Sequence, residues 1–594
     1  MKDDTSQKSG NVFDYLILKR LFVFIRPYRK QFYLVVALTV LSALLGPVKP
    51  WLIKEAIDKY VAAGDTHQLL VMTILLLAVL FFHALVQYFH TFLSGLLGQN
   101  VIRDIRITLY RHLLRFRLGF FDKTPIGRLV TRNVSDVGQL SEVFSEGVAN
   151  IVSDSLQILV IIVIMFYTDW KLTLISLSIL PLMLISTYVF KEKVKYAFNL
   201  VRNAVANLNT FVQEHISGMS VVQIFTAEEK EFKKFKAINE EHKKANLLSV
   251  LYYSVYFPVA ELLAALGTAL LVWFGAKGIM QEVFTIGDFI LFNMLLAMLF
   301  RPIRMIADRF NTLQMGIVSA NRIFNLLDSH EPVEASGTYI PERLKGEVAY
   351  KNVWFAYNPD EYILKEVSFS VREGQTIAFV GATGAGKSSI INLLNRFYSI
   401  QKGEITIDGV DIKEYDLNYL RSSVAMVLQD VFLFSDTIRN NITLNNPEIP
   451  DERIMEAAEL VGAKKFIENL PGGFDYNVKE RGATLSVGQR QLISFIRALV
   501  YDPSIIVLDE ATSSVDSETE EMIKAAIERL MKGRTAFVIA HRLSTIQKAD
   551  IIVVLEKGRI VETGTHDELL KVQGAYARLY EMQFVREADR SIQN

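Results

Sequence analysis

Six runs of this chain stay apolar for close to the roughly 20 residues that a helix needs to cross the hydrocarbon of a bilayer. They lie at about 32–53, 69–92, 148–166, 172–190, 252–274 and 284–300. Strands are far shorter than these runs, so the first half reads as a membrane all-α domain of six spanning helices. The chain has 594 residues, too many for one core, and the apolar material behind its mean hydropathy of +0.25 is crowded into that first half. At least two folding units facing different solvents follow.

The basic residues between the spans orient them. The segment 95–143 carries Arg103, Arg106, Arg111, Arg115, Arg117, Lys123, Arg128 and Arg132, whereas Thr168–Lys171 is nearly bare. Positive-inside bias puts the long loops in the cytoplasm, together with Lys19, Arg20, Arg26, Arg29 and Lys30 near the N-terminus. An even span count returns the second half to the same side, so the expectation is a multi-pass protein of the cytoplasmic (inner) membrane. Arg301 and Arg304 mark the cytoplasmic end of span six. The long loops 95–143 and 191–251 keep helical spacing and lack turn clusters; they read as membrane helices continued beyond the bilayer, reversing at Pro125 and Gly127 and at Gly218. The other reading is a pair of solvated loops. Met1–Gly10 is polar and mixed in charge, unlike a cleaved signal peptide, so insertion rests on the first span.

Lysine plus arginine equals aspartate plus glutamate at 64 each, which argues for no nucleic-acid partner. The absence of cysteine excludes disulfides, thiolate metal sites and thiol nucleophiles. Past Asn325 a polar stretch with Pro332, Gly337 and Pro341 reads as a linker, followed by short apolar runs alternating with amphipathic helices, as in an α/β domain with a buried sheet.

Within that domain a strand at 376–380 runs into Gly381-Ala382-Thr383-Gly384-Ala385-Gly386-Lys387-Ser388, with an apolar helix from Ser389. This is a phosphate-binding loop in its required setting: glycines let backbone N–H groups wrap phosphates, Lys387 reaches the terminal phosphates and Ser388 holds Mg2+. A kinase or a GTPase fits this element equally well. Ile505-Ile506-Val507-Leu508 then delivers Asp509 and Glu510 to the end of a buried strand, where such sheets bind nucleotides. Asp509 suits magnesium and Glu510 the attacking water; a core strand that happens to end in acids is the bland alternative.

Leu485-Ser486-Val487-Gly488-Gln489, opening the helix that starts near Arg490, separates these possibilities. With it the chain resembles the ATP-binding cassette (ABC) transporters, in the exporter group that fuses a membrane domain to an α/β P-loop NTPase domain. The resemblance implies cofactors ATP and Mg2+, and a composite site in which Ser486, Gly488 and Gln489 of one chain meet phosphates held by residues 381–389 of a second half-transporter, as homodimer or heterodimer. It further implies that Tyr357 stacks on adenine, Gln429 touches magnesium, Asp516 signals between sites and His541 switches at the γ-phosphate, with Glu510 and Lys387 as the other catalytic groups. Phe120-Phe121-Asp122 through Pro125, Gly127-Arg128-Leu129 and Asp136 resembles the family's first intracellular loop; Glu214, Gly218, Val222, Phe225 and Glu228 resemble the second. The implied division is 1–30 with an elbow helix, 31–325 membrane domain, 326–346 linker and 347–594 nucleotide-binding domain. One departure stands out: Val487 replaces the commonest glycine, and a β-branched residue restricts backbone angles that glycine allows.

Because importers of the family it resembles keep the two parts on separate chains, the resemblance implies export or flipping of a hydrophobic or amphipathic substrate; the alternative is an ATP-gated channel or regulatory membrane protein on the same fold. The specialised peptide-processing exporters are not expected, since no peptidase-like stretch precedes the first span. Asp154 and Glu261 lie within spans, where acids either face a substrate cavity or hydrogen-bond between helices. His83, Gln87 and His90 share one helical face, which reads as a polar seam between helices rather than a metal site.

Overall fold

The computed structural model describes residues 15–142, 149–329, 336–359, 361–509, 517–540 and 543–582. The chain divides into two compact units. One comprises 1–114 and 126–329; the other comprises 330–594 together with Arg115–Pro125.

In the first unit, among the described residues, six helices are long and apolar enough to cross a membrane: Lys19–Val61, Thr66–Leu113, Asn150–Thr168, Trp170–Ser217, Glu228–Met280 and Ile286–Ile303. Helix is what hydrocarbon demands, because each backbone N–H and C=O must be satisfied within the segment. Continuous helices of 48, 38, 53 and 42 residues occupy Thr66–Leu113, Leu180–Ser217, Glu228–Met280 and Ile286–Leu327. At 1.5 Å per residue they run roughly 57 to 80 Å, about twice the thickness of the hydrocarbon. The long loops are therefore helix, as their spacing predicts.

Their ends follow local chemistry. Asp65 caps Thr66–Leu113 by accepting from the Gln68 N–H at 3.0 Å. Asp169 caps the next span after the short connection by accepting from the Leu172 N–H at 2.6 Å. Thr285 and Asp288 form a capping box at Ile286–Leu327. Gly218 closes Leu180–Ser217 where expected, and the chain returns through the short helix Met219–Ile224, with His215 bonded to Glu231 at 2.8 Å across the reversal. In the first long loop the chain is extended at Arg117 and again at Thr124, just before Pro125, whereas Gly127 lies inside the helix Ile126–Thr131. The residue preceding proline is pushed out of the helical region, so the break falls on Pro125 and not on the glycine.

Polar groups within this unit mostly hold helices together. His90 is hydrogen-bonded to Thr39 at 3.0 Å and His83 to Ser42 at 3.4 Å, so these two form the helix seam expected of them, while Gln87 between them is exposed. Asp154 pairs with Arg309 at 3.0 Å, while Glu261 is exposed. Arg301 sits within a helix that continues past Pro302 to Leu327; the side chain of Arg304 lies outside the described residues. Asp136 is buried at 2% exposure, against Arg132, Arg322 at 3.6 Å and Ser319 at 3.4 Å.

The second unit contains two sheets. Strands β1 (Val348–Ala356), β2 (Tyr362–Val371), β4 (Lys402–Ile407) and β5 (Val410–Asp411) form an antiparallel sheet in the order β2-β1-β4-β5. Strands β3 (Thr376–Val380), β6 (Val424–Val427), β7 (Ile505–Asp509), β8 (Thr535–Ile539), β9 (Ile551–Glu556) and β10 (Arg559–Gly564) form the larger sheet, ordered β10-β9-β3-β8-β7-β6. All its neighbours are parallel except β9 and β10. Every residue of β8 is buried, as a sheet covered on both faces requires.

Removing the buried carboxylate by Asp136→Ala leaves Arg132 and Arg322 facing each other without their shared anion. We expect a loss of about 2–3 kcal/mol, below the roughly 3–5 kcal/mol of a fully buried pair because both arginines keep some water. Thermal unfolding of the detergent-solubilised protein followed by intrinsic fluorescence should show a midpoint several degrees lower, while Gln99→Ala, at the exposed Ser141 contact, should leave it in place.

Candidate nucleotide site

The larger sheet places the phosphate loop by register. Phe379 of β3 pairs with Ile539 of β8, and Ile539 pairs with Asp509 of β7. The carboxyl ends of three neighbouring parallel strands thus lie level, and the loop after β3 and the acid ending β7 emerge at one edge. This is where α/β sheets bind nucleotides.

The loop's conformation is one that only glycine reaches cheaply at its key points. Gly381, Gly384 and Gly386 have φ of +153°, +83° and +106°. A Cβ on Gly381 would lie 2.3 Å from the Leu555 carbonyl oxygen, and one on Gly386 would lie 2.6 Å from Leu364 Cδ2. Gly384 has open space around it. Gly386 precedes the helix Lys387–Leu394, so the loop wraps the positive end of that helix. Lys387 Nζ donates to the carbonyls of Gly381 at 2.6 Å and Ala382 at 3.1 Å. Its half-burial pushes the ammonium pKa down, and the Asp509 carboxylate pulls it partly back up.

Ala382, Thr383 and Ser388 are exposed, and Ala385 and Ser389 are buried. Tyr357 is 37% exposed, with its hydroxyl 3.2 Å from Ser389 Oγ. Gln429 is exposed two residues past β6, the edge strand beside β7. The cradle of N–H groups, the helix end and the ammonium fit a polyphosphate; Ser388, Gln429 and Asp509 offer hard oxygen donors of the kind Mg2+ prefers. Glu510, Asp516 and His541 lie outside the described residues.

Ser486 stands at the start of the helix Val487–Val500. Its Oγ accepts from the Gln489 N–H at 3.2 Å, and Gln489 Oε1 accepts from the Ser486 N–H at 3.0 Å. Ser486 is exposed and Gly488 is buried. Among the described residues no hydrogen bond or ion pair joins Ser486, Gly488 or Gln489 to the phosphate loop of the same chain. Val487 is the first helical residue and 42% exposed, a position that needs no positive φ. The restriction that a β-branched residue imposes therefore costs little there.

Tyr398 and its neighbours were not legible as part of the site. Its ring lies 4.9 Å from that of Tyr357, at 90°; an isolated tyrosine after a helix carries no sequence pattern that announces such a contact.

The comparisons with known proteins reach both halves of the chain. Residues 32–303 match the family described as the ABC transporter transmembrane region, and residues 364–513 match the family described as ABC transporter. The chain is 40% identical to an uncharacterized ABC transporter ATP-binding protein of Bacillus subtilis, YknV, over 96% of this chain and 95% of the relative. It is 35% identical to the ATP-dependent lipid A-core flippase of Syntrophus aciditrophicus, over 96% and 94%. A chain named for multidrug export, YgaD of Bacillus subtilis, is also 35% identical, over 96% and 99%.

Gly381→Ala should abolish binding of a fluorescent ATP analogue, because the methyl meets fixed backbone. Gly384→Ala meets only backbone strain of about 1–2 kcal/mol, so it should weaken binding by roughly tenfold. Val487→Gly, which releases a restriction the helix start does not feel, should leave ATP turnover within about twofold, since glycine costs under about 1 kcal/mol at a helix end.

Proposed function

The chain belongs to the ABC transporter family, and from that premise we propose that it is one half of a dimeric exporter which couples ATP hydrolysis to moving a hydrophobic or amphipathic substrate out of the cytoplasm or across the bilayer. Its relatives named as a lipid A-core flippase and for multidrug export support that substrate class. The six membrane helices and the ATPase domain in one chain support transport driven by nucleotide. In this reading the protein sits in the cytoplasmic membrane, with its N-terminus and ATPase domain inside.

The observation that carries the dimer is the exposed, capped helix start at Ser486. Backbone N–H groups at a helix N-terminus attract an anion, and here they have no phosphate loop of their own chain bonded to them. A second copy supplies it: residues 381–389 of one chain hold the phosphates, and Ser486, Gly488 and Gln489 of the other close over them. Tyr357 stacks on the base. Ser388, Gln429 and Asp509 hold Mg2+, which neutralises charge developing on the transferred phosphoryl. Lys387 binds the terminal phosphates, Glu510 orients and polarises the attacking water, His541 contacts the γ-phosphate, and Asp516 links the paired sites.

ATP drives the cycle by preferring the closed pair of ATPase domains over the open one, since a ligand shifts two states only by its difference in affinity. Closure opens the membrane cavity outward, and hydrolysis resets it. Asp154 already has Arg309 as its partner, which favours a role between helices. Glu261, exposed in its span, is the better placed of the two acids for a cationic substrate.

Glu510→Gln in the purified full chain should bind ATP, accumulate as a closed dimer by crosslinking and lose ATP turnover by at least about a hundredfold, within the range seen when a catalytic group is removed. Turnover at the unmutated rate would overturn the assignment, and ion current without uphill transport in vesicles would overturn the exporter reading.

A further inference from the structure

Residues Arg115–Pro125 interrupt the first membrane unit, yet they belong to the same compact unit as the ATPase residues. Their short helix, Leu118–Lys123, begins a few residues after the membrane helix Thr66–Leu113 ends. Its contacts converge on one place. Tyr398 donates its hydroxyl hydrogen to the Asp122 carboxylate. Gly119 packs so closely on the same ring that a Cβ there would lie 3.1 Å from Tyr398 Cε1. Lys123 Nζ reaches the Tyr357 carbonyl oxygen at 3.5 Å.

On its other side Tyr398 backs the ring of Tyr357, edge to face at 4.9 Å. Phe355, only 1% exposed, touches both rings, at 4.7 Å from Tyr357 and 5.8 Å from Tyr398. Edge-to-face rings at such distances are a favoured aromatic arrangement, and the three make a corner on a buried foundation. Tyr357 is therefore held at an angle set partly by Tyr398. Tyr398 in turn is held by a hydrogen bond to a charged acceptor, the stronger kind. Burial and the Asp122 carboxylate both push the Tyr398 phenol pKa up, so the group stays a donor.

We propose that Tyr398 is a positioning residue of the ATP site, fixing the face of Tyr357 on which adenine stacks to Asp122 in the segment that continues into the membrane helices. The inference rests on the reading of Tyr357 as the adenine platform and adds what sets its orientation. A platform fixed before the base arrives loses less side-chain freedom on binding, so a group that never touches nucleotide contributes to ATP affinity. The linkage is reciprocal: nucleotide that favours one angle of Tyr357 favours the matching seat of Leu118–Lys123.

The test uses the full chain in vesicles of phosphatidylethanolamine and phosphatidylglycerol, with ATP turnover measured against MgATP concentration. Tyr398→Phe, which keeps the ring and removes the donor, and Asp122→Ala, which removes the acceptor, should each raise KM for ATP by about three- to tenfold, the worth of one partly exposed hydrogen bond to a charge. The kcat of Asp122→Ala should stay within about twofold. The double variant should be no worse than the more affected single one, because both remove the same bond, and Asp122→Glu should recover most of the affinity. An unchanged KM in both single variants, or effects that multiply in the double, would overturn the link. Tyr357→Ala separates the two levels: a raised KM there with unaltered Tyr398→Phe and Asp122→Ala sinks the link alone, whereas an unaltered KM in Tyr357→Ala sinks the platform and the link with it.

Discussion

The level pairing of three parallel strands is the constraint on which the ATPase unit depends. Because Phe379, Ile539 and Asp509 stand in one row across β3, β8 and β7, a slip of one residue would turn every side chain to the other face and move the phosphate loop away from the acid. Register is protected by burial on both faces: β8 is buried throughout and β7 through Leu508. The glycines of the loop convert that fixed edge into a cradle. They supply backbone angles that leave N–H groups free, and two of them also let the chain pass where a methyl group cannot.

A different solvent rules the membrane unit. Hydrocarbon rewards any apolar helix equally, so helix-to-helix specificity falls to the few polar groups that must find partners. His90 with Thr39, His83 with Ser42, and Asp154 with Arg309 serve that purpose. In the helical extensions beyond the spans the same logic is expressed in Asp136, buried among Arg132, Arg322 and Ser319. Glu261 is exposed, and among the described residues no ion pair engages it. Polar residues that look alike in a span thus divide into structural and available groups only once their surroundings are known.

The two chemistries meet in a segment of 11 residues, Arg115–Pro125, which is continuous in sequence with the membrane helices and packed with the ATPase residues. Its grip on Tyr398 relies on one hydrogen bond and a close approach at Gly119, where any larger side chain would press on the ring. Tyr398 in turn lies edge to face against Tyr357, so this segment and that exposed ring are joined through one side chain.

The six spans, the helical character of the long loops, the phosphate loop and the helix opening at Leu485–Gln489 were legible in the residues themselves, because each rests on short-range rules such as apolar length, helical period and glycine angles; the capping of that helix by Ser486 and Gln489 emerged only from the structure. The break in the first loop was half legible, since both Pro125 and Gly127 signal a turn and only the steric demand of proline on Thr124 decided between them. Val487 looked restrictive as a letter, yet it stands as the first residue of a helix, where no positive φ is required. What no local rule carries is contact between residues far apart in the chain: Asp154 with Arg309, Asp122 with Tyr398, and Tyr398 with Tyr357. Sequence by itself determined the elements and the chemistry they bear; only the tertiary structure decided which polar groups are already spent on one another, because hydrogen bonds and ring contacts act over a few ångströms of space and are blind to separation along the chain.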